Sequence, residues 1–253
     1  MLDMEPKDIP LRDRIIFALD VETPDEARSW VKTLEGSIGF YKVGLELFLA
    51  GGFPIVEWIK TRGHKVFFDL KFFDVPNTVM KAVRQLRGRG IDFATVHGNT
   101  SIVRAAASAK GEVKILAVTV LTSLSGEDAR EFGLAGTLSD LVLERATAAV
   151  SLGCDGVVAS GQEAAMLRAS LDKDFFIITP GIRFKDSTED DQRRTVTPEE
   201  AFANGTDYIV MGRPIRMAER PLDLVLSIQA GIQKGLKKNT NSRSKDNARN
   251  AHA

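Results

Sequence analysis

The sequence predicts a single (β/α)8 barrel, on three observations. Eight short apolar runs alternate strictly with amphipathic segments, which implies a parallel sheet, and eight strands are the number that closes a barrel. The 253 residues suit one such barrel, and no composition shift divides them. Polar residues gather where the apolar runs end, the rim that carries the chemistry of these barrels.

In order, the first strand is expected at 15–19. The helix at 24–34 follows, with Thr23 as cap, Pro24 in the first turn and Glu26 behind it. Strands at 40–43, 66–68, 93–96, 115–120 and 156–159 come next, followed in turn by helices at 54–62, 78–87, 100–109, 138–152 and 162–170. The strand at 175–179 leads to a helix at 198–203, which Thr197-Pro198-Glu199 opens in the same way as the first. The strand at 208–211 and a helix at 215–235 finish the pattern. Residues 1–236 form the expected domain, and the polar stretch 237–253 is expected to be a disordered tail. A doubly wound sheet would want a Gly-x-Gly-x-x-Gly turn after strand one; the chain has Ala18-Leu19-Asp20-Val21-Glu22-Thr23 there, without a glycine.

Thirty-four basic residues balance 34 acidic ones, which argues against a broad nucleic-acid or anionic-membrane surface but leaves room for a small basic pocket. No apolar stretch approaches the roughly 20 residues that span a bilayer. Residues 1–14 are charged and proline-interrupted, unlike a signal peptide. Cys154 is the only cysteine, too few for a disulfide or a thiolate metal site, so a cytoplasmic, reducing location is expected.

The strand ends read Asp20; Lys42; Asp69, Lys71 and Asp74; His97; Thr122 and Ser123; Ser160; Arg183; Gly212 and Arg213. Singly, Asp20 or Ser160 could cap a helix and His97 could be a satisfied rim histidine. Phe48, Phe53 and Trp58 read as core or interface. A buried strand has no structural need for Asp69-x-Lys71-x-x-Asp74 at its lip, where period 2 turns Asp69 and Lys71 to one face. Asp20, Lys42, Asp69, Lys71 and Asp74 alternate in sign, so buried charges satisfy one another. Such an array keeps Lys71 an ammonium, a proton donor and not a Schiff-base nucleophile. Thr179-Pro180-Gly181-Ile182-Arg183 and Met211-Gly212-Arg213-Pro214-Ile215 follow the last two strands, where this fold frequently holds phosphate: glycine permits close approach, the arginines are charged forks, and a helix begins there. Gln192 lies in the polar loop 185–195, whose length and charge suit a lid.

These segments, with Phe17-Ala18-Leu19-Asp20, Lys42-Val43-Gly44, Leu121-Thr122-Ser123 and the run Asp69-Leu70-Lys71-Phe72-Phe73-Asp74-Val75-Pro76-Asn77-Thr78, resemble the orotidine 5′-phosphate decarboxylase family in order from about residue 14 to 235. The resemblance implies a cofactor-free, metal-free conversion of orotidine 5′-phosphate to uridine 5′-phosphate and carbon dioxide, the last step of de novo pyrimidine synthesis. It implies that Lys71 protonates the vacated carbon, that Asp69 faces the departing carboxylate, and that Lys42 and Asp74 complete the charge network. Asp20 and Lys42 would hold ribose hydroxyls, and Thr122 would lie near the base. Gln192, Gly212 and Arg213 would bind phosphate, with Arg183 lining that end. A homodimer is implied, with Asp74 and Thr78 reaching the neighbouring subunit's site. The chain departs at Phe73, where many relatives carry histidine or another polar residue. Magnesium-dependent sugar-phosphate decarboxylases resembling 3-keto-L-gulonate 6-phosphate decarboxylase share Asp-x-Lys-x-x-Asp but carry an acid at the position of Lys42.

Overall fold

The computed structural model describes residues 7–122, 136–171, 174–184 and 195–250. Its eight strands form a closed parallel barrel in sequence order, β1 pairing with both β2 and β8. They are β1 Ile15–Ala18, β2 Phe40–Gly44, β3 Lys65–Phe72, β4 Phe93–His97, β5 Lys114–Val118, β6 Gly156–Val158, β7 Phe176–Thr179 and β8 Tyr208–Met211. The helices are α1 Pro24–Leu34, α2 Leu45–Thr61, α3 Pro76–Arg84, α4 Thr100–Ala109, α5 Leu138–Ser151, α6 Ala164–Ser170, α7 Pro198–Ala203, α8 Arg213–Arg216 and α9 Pro221–Asn250. Thr23 accepts from the N–H of Glu26, and Thr197 and Glu200 form a reciprocal capping box, so both expected helix starts rest on side-chain caps.

Most elements agree with the sequence reading to within a residue or two, and the larger departures have physical reasons. β3 runs four residues beyond its expected end, where the Lys71 N–H and the Asp69 carboxylate both bond to Thr95 of β4. α2 starts nine residues early, at Leu45. Gly52, at φ 56° and ψ −151°, breaks it into two segments, and only the second, which contains Pro54, was expected. The last helix is two: α8, then α9 from Pro221. α9 continues to Asn250, and Asn239 donates to the carbonyls of Phe202 and Ala203 on α7 at 3.2 and 3.0 Å. The boundary expected at 236 therefore falls inside a docked helix.

Two apolar clusters hold the fold. One lies between sheet and helices; there Phe48 stacks edge-on against Phe53 and Phe68, and Trp58 packs alongside. The other fills the barrel itself with Ile16, Phe40, Phe67, Phe93, Leu116, Val118, Val158, Ile178 and Tyr208. Cys154 is buried, and burial pushes its thiol up to about 12, so it packs as a small apolar group. No helix among the described residues is long and apolar enough to cross a membrane.

Candidate active site

Side chains alternate along each strand, so Phe40 and Lys42 both face the barrel interior, as do Phe67, Asp69 and Lys71 on β3. The charged residues are the upper members of each set. Lys42 Nζ donates to Asp20 Oδ1 at 2.7 Å and lies 3.7 Å from Asp69 Oδ2, while Lys71 Nζ donates to the same Asp69 oxygen at 2.8 Å. Four of the five expected residues thus form one chain of alternating sign: Asp20, Lys42, Asp69, Lys71. Lys42 and Asp69 are each only 9% exposed.

Burial alone would depress the Lys42 pKa, but Asp69 and then Asp20 outweigh it and lift the value above that of an ordinary lysine. Burial likewise pushes Asp69 up, and the charges of Lys42 and Lys71, with hydrogen bonds from Lys71 and Thr95, hold it below the usual carboxylate value. Both therefore stay ionised at neutral pH. Gly44 leaves room for the pairing: a Cβ there would stand 3.1 Å from Lys42 Nζ and 3.4 Å from Asp20 Oδ1. Gly212 does the same for the backbone, since its Cβ would meet Ala18 Cβ at 3.0 Å and Ala18 O at 3.2 Å.

Asp74 stands apart from this array. It is exposed, and its carboxylate accepts from the N–H of Val75 at 2.6 Å. Thr78, in the first turn of α3, is exposed beside it. Phe73, 66% exposed, lies against the His97 ring with centroids 4.7 Å apart. Burial, then the charges of Arg145 and Lys71, lower the His97 pKa and favour a neutral imidazole.

The array opens into a cleft of about 320 Å³ with Ala18, Phe67, Val158 and Val210 among its apolar lining. Leu121 and the buried Thr122, past the end of β5, line it, as do Pro180, Gly181 and Arg183 past β7 and Gly212, Arg213 and Arg216 past β8. Arg183 is set by its turn: its N–H donates to Val196 O at 3.0 Å, its guanidinium to Ile182 O at 2.7 Å, and Gly181 takes φ 74°. The expected residues Ser123 and Gln192, with most of the loop 185–195, lie outside the described residues. A larger, shallower basin of about 680 Å³ opens where α2 and α3 end. Three of its four cations are already committed, Lys60 to Asp92 at 2.9 Å, Arg87 to Ala109 O at 2.8 Å and Arg89 to Gln85 O at 2.8 Å, and the fourth, Arg84, donates to Met80 Sδ at 3.6 Å. Among the described residues no group of three or more His, Cys, Asp or Glu side chains could hold a metal ion.

The sequence reading missed Thr95, which is wholly buried on β4. Its hydroxyl accepts from the Lys71 N–H at 2.9 Å and donates to Asp69 Oδ1 at 2.8 Å. A hydroxyl in an apolar strand, one inward step below His97, was the available signal.

A family model described as orotidine 5′-phosphate decarboxylase / HUMPS family matches residues 13–228. The chain belongs to this family. Within the matched stretch lie the array, both glycine-arginine turns and all eight strands of the orotidine 5′-phosphate decarboxylase / HUMPS barrel. An orotidine 5′-phosphate decarboxylase of Methylococcus capsulatus is 52% identical over 229 residues, 90% of this chain and 95% of its own length. One from Xanthomonas campestris is 45% identical over 235 residues, 92% of this chain and 97% of its own. The crystal structure of orotidine 5′-phosphate decarboxylase from Lactobacillus acidophilus superposes with a TM-score of 0.76 at 32% identity, covering 87% of this chain and 99% of that one.

Proposed function

We propose that this chain decarboxylates orotidine 5′-phosphate to uridine 5′-phosphate and carbon dioxide, as the last step of de novo pyrimidine synthesis and without a cofactor. The observation that carries the reading is a single cleft lined both by the Asp20–Lys42–Asp69–Lys71 array and by Arg183, Gly212 and Arg213. Family membership and the named relatives support the reaction; the role of each residue is the one the family resemblance implies, and the contacts among Asp20, Lys42, Asp69 and Lys71 support the charge network.

The phosphate binds at Gly212 and Arg213, with Gln192 closing over it and Arg183 beside it. Asp20 and Lys42 take ribose hydroxyls, and Thr122 lies by the base. This places the pyrimidine carboxylate toward Asp69. The bond from the ring carbon to the carboxylate breaks, carbon dioxide leaves, and the electron pair stays on the ring carbon. The Lys71 ammonium, held at 2.8 Å by Asp69, supplies fixed positive charge where that pair develops and then donates a proton to the carbon. Solvent returns the proton to Lys71. Binding energy from the distant phosphate is expressed at the reacting carbon through lid closure.

The working unit is a homodimer in which Asp74 and Thr78 serve the neighbouring subunit's site. Their exposure supports this, as do Phe73 and Val75 on the same loop and Leu45 and Leu49 on the adjacent βα unit, all large apolar side chains left in solvent by a single chain. Dimers mixed from Asp20→Ala and Asp74→Ala chains test it: each pure variant is expected to be impaired, and the mixture to regain activity through one intact site per mixed dimer. No regain would assign Asp74 to its own subunit.

The magnesium-dependent sugar-phosphate reaction fits less well, because the Lys42 ammonium would oppose a divalent cation beside Asp69. One assay separates the readings: purified protein with orotidine 5′-phosphate, in EDTA and without added cofactor. Loss of substrate absorbance with release of carbon dioxide is expected. A folded protein that binds uridine 5′-phosphate but does not turn over would overturn the reading.

A further inference from the structure

Lys71 has an unusual backbone for a lysine. At φ 49° it is the one non-glycine residue with positive φ among the described residues, and nothing in its own side chain favours that conformation. The cause lies in the pairing of β3 with β4. Phe68 pairs with Ala94 and Phe72 with Val96, so four steps along β3 are matched by two along β4. Three residues, Asp69 to Lys71, therefore face the single Thr95, two more than a regular ladder holds, and a bulge of this kind re-aims side chains at the cost of a ladder bond. The Lys71 N–H is left facing the side chain of Thr95, the single β4 residue between those two pairs.

The Thr95 hydroxyl has one proton and a fixed direction. An ionised carboxylate only accepts, so Thr95 donates to Asp69 Oδ1 and uses its oxygen to accept from the Lys71 N–H. Asp69 Oδ2 in turn accepts from Lys71 Nζ. The result is a closed circuit in which the main chain and the ammonium of one lysine are tied to opposite oxygens of one carboxylate, with Thr95 as the closing link. The hydroxyl is wholly buried, so water cannot substitute for it.

We propose that Thr95 is the positioning residue of this site: its hydroxyl holds the β3 bulge and thereby fixes Lys71 Nζ against Asp69 in the geometry the reaction uses. The proposal rests on the decarboxylase reading for its assay, and it assigns Thr95 no contact with substrate.

Three proteins test it: wild type, Thr95→Val and Thr95→Ser, each measured for kcat and KM with orotidine 5′-phosphate, uridine 5′-phosphate affinity and thermal midpoint. Valine keeps the volume and removes the hydroxyl. It is expected to lower kcat by about 10- to 100-fold while KM and nucleotide affinity change by less than about threefold, because positioning is lost and not binding. Serine keeps the hydroxyl and is expected to stay within about threefold of wild type in kcat, a rescue that a packing role would not give. Combining Thr95→Val with Lys71→Ala should add almost nothing to the loss from Lys71→Ala alone, since the threonine acts through the lysine. A valine variant with wild-type kcat, or a serine variant as slow as valine, overturns the proposal. If valine destabilises the fold, the serine variant decides: a drop of more than about tenfold in a folded protein would mean that the methyl and not the hydroxyl matters. An inactive wild type would instead defeat the decarboxylase reading, so the two failures are distinguishable.

Discussion

A step of two residues along β2 and β3 separates an apolar plug from a charged rim. At the lower level Phe40 and Phe67 point inward with Phe93 of β4, and Phe93 touches Phe40, Tyr208 and Phe176 at centroid separations of 5.1, 5.3 and 5.5 Å. At the next inward level the same strands present Lys42, Asp69 and Thr95. Side-chain choice makes most of this contrast, and the β3 bulge at Asp69 to Lys71 adds a change of backbone at the rim. The plug packs in rotamers that fix where each strand sits, and it keeps water from below the array. Charges above such a floor interact more strongly than in water and hold their geometry without needing to reorganise during the reaction. The rim is therefore costly and functional, and the plug supplies the rigidity it requires.

If this division holds, damage at the two levels should look different. Lys71→Ala strikes the rim and should produce the largest effect, a fall in kcat of at least about 10⁴-fold, since it removes both the proton donor and the fixed positive charge. Uridine 5′-phosphate should still bind and the melting curve should persist. Near-normal turnover in this variant would remove Lys71 from the mechanism. Phe93→Ala strikes the plug. Truncating a buried aromatic packed against four others should cost about 3–5 kcal/mol, read from the urea midpoint, while kcat of the folded fraction falls far less than for Lys71→Ala. A Phe93 variant that kept its stability but lost turnover would show that the plug acts on the chemistry directly.

The plug and the rim were not equally legible in the sequence. Alternation of apolar runs with amphipathic segments was enough for the barrel, and Asp69-x-Lys71 at one strand lip was enough to place the charges on a common face. Lys42 was conspicuous because a lysine between Tyr41 and Val43 must find a partner, and it finds two. The bulge in β3 was hidden: a register shift depends on the neighbouring strand, and nothing within 65–72 announces it. Thr95 went unread for the same reason, since its importance lies in facing that bulge. The kink of α2 at Gly52 and the early start of that helix were obscured because Gly51-Gly52-Phe53-Pro54 reads locally as a stop signal. Asp74 was expected to share in the alternating array, and within one chain it does not: it is exposed and accepts from the N–H of Val75.

The arginines of the cleft sharpen the comparison between binding and chemistry. Arg213→Ala removes a charged fork next to Gly212 and should raise KM for orotidine 5′-phosphate by about 10- to 100-fold with a smaller change in kcat. Phosphite dianion added to the assay is the finer probe: with a phosphate-free nucleoside substrate it should accelerate wild type and do little for the variant, if phosphate binding drives closure.

The smallest expected effect is an absence of change with pH. Asp69 has a folded pKa below its ordinary value of 3.8, so its ionic contribution is complete above that value and is lost only as pH falls through the lower, folded one. Lys42 has a folded pKa above its ordinary 10.5; its contribution is complete below that value and disappears only as pH rises through the higher one. Burial and the charges of Arg145 and Lys71 shift His97 below 6.5, which favours the neutral imidazole. With Asp69 and Lys42 fixed in charge, kcat at saturating substrate should be flat from about pH 5 to pH 9. The free substrate behaves otherwise: a phosphate monoester loses its second proton near about pH 6, so kcat/KM should rise through that region while kcat does not. Measuring both profiles on one preparation separates the phosphate side of the cleft from the charged array. An inflection in kcat near neutrality would mean that a group in the array titrates there. Its disappearance in His97→Gln would trace it to the imidazole under Phe73, and its persistence would trace it to the carboxylates and lysines themselves.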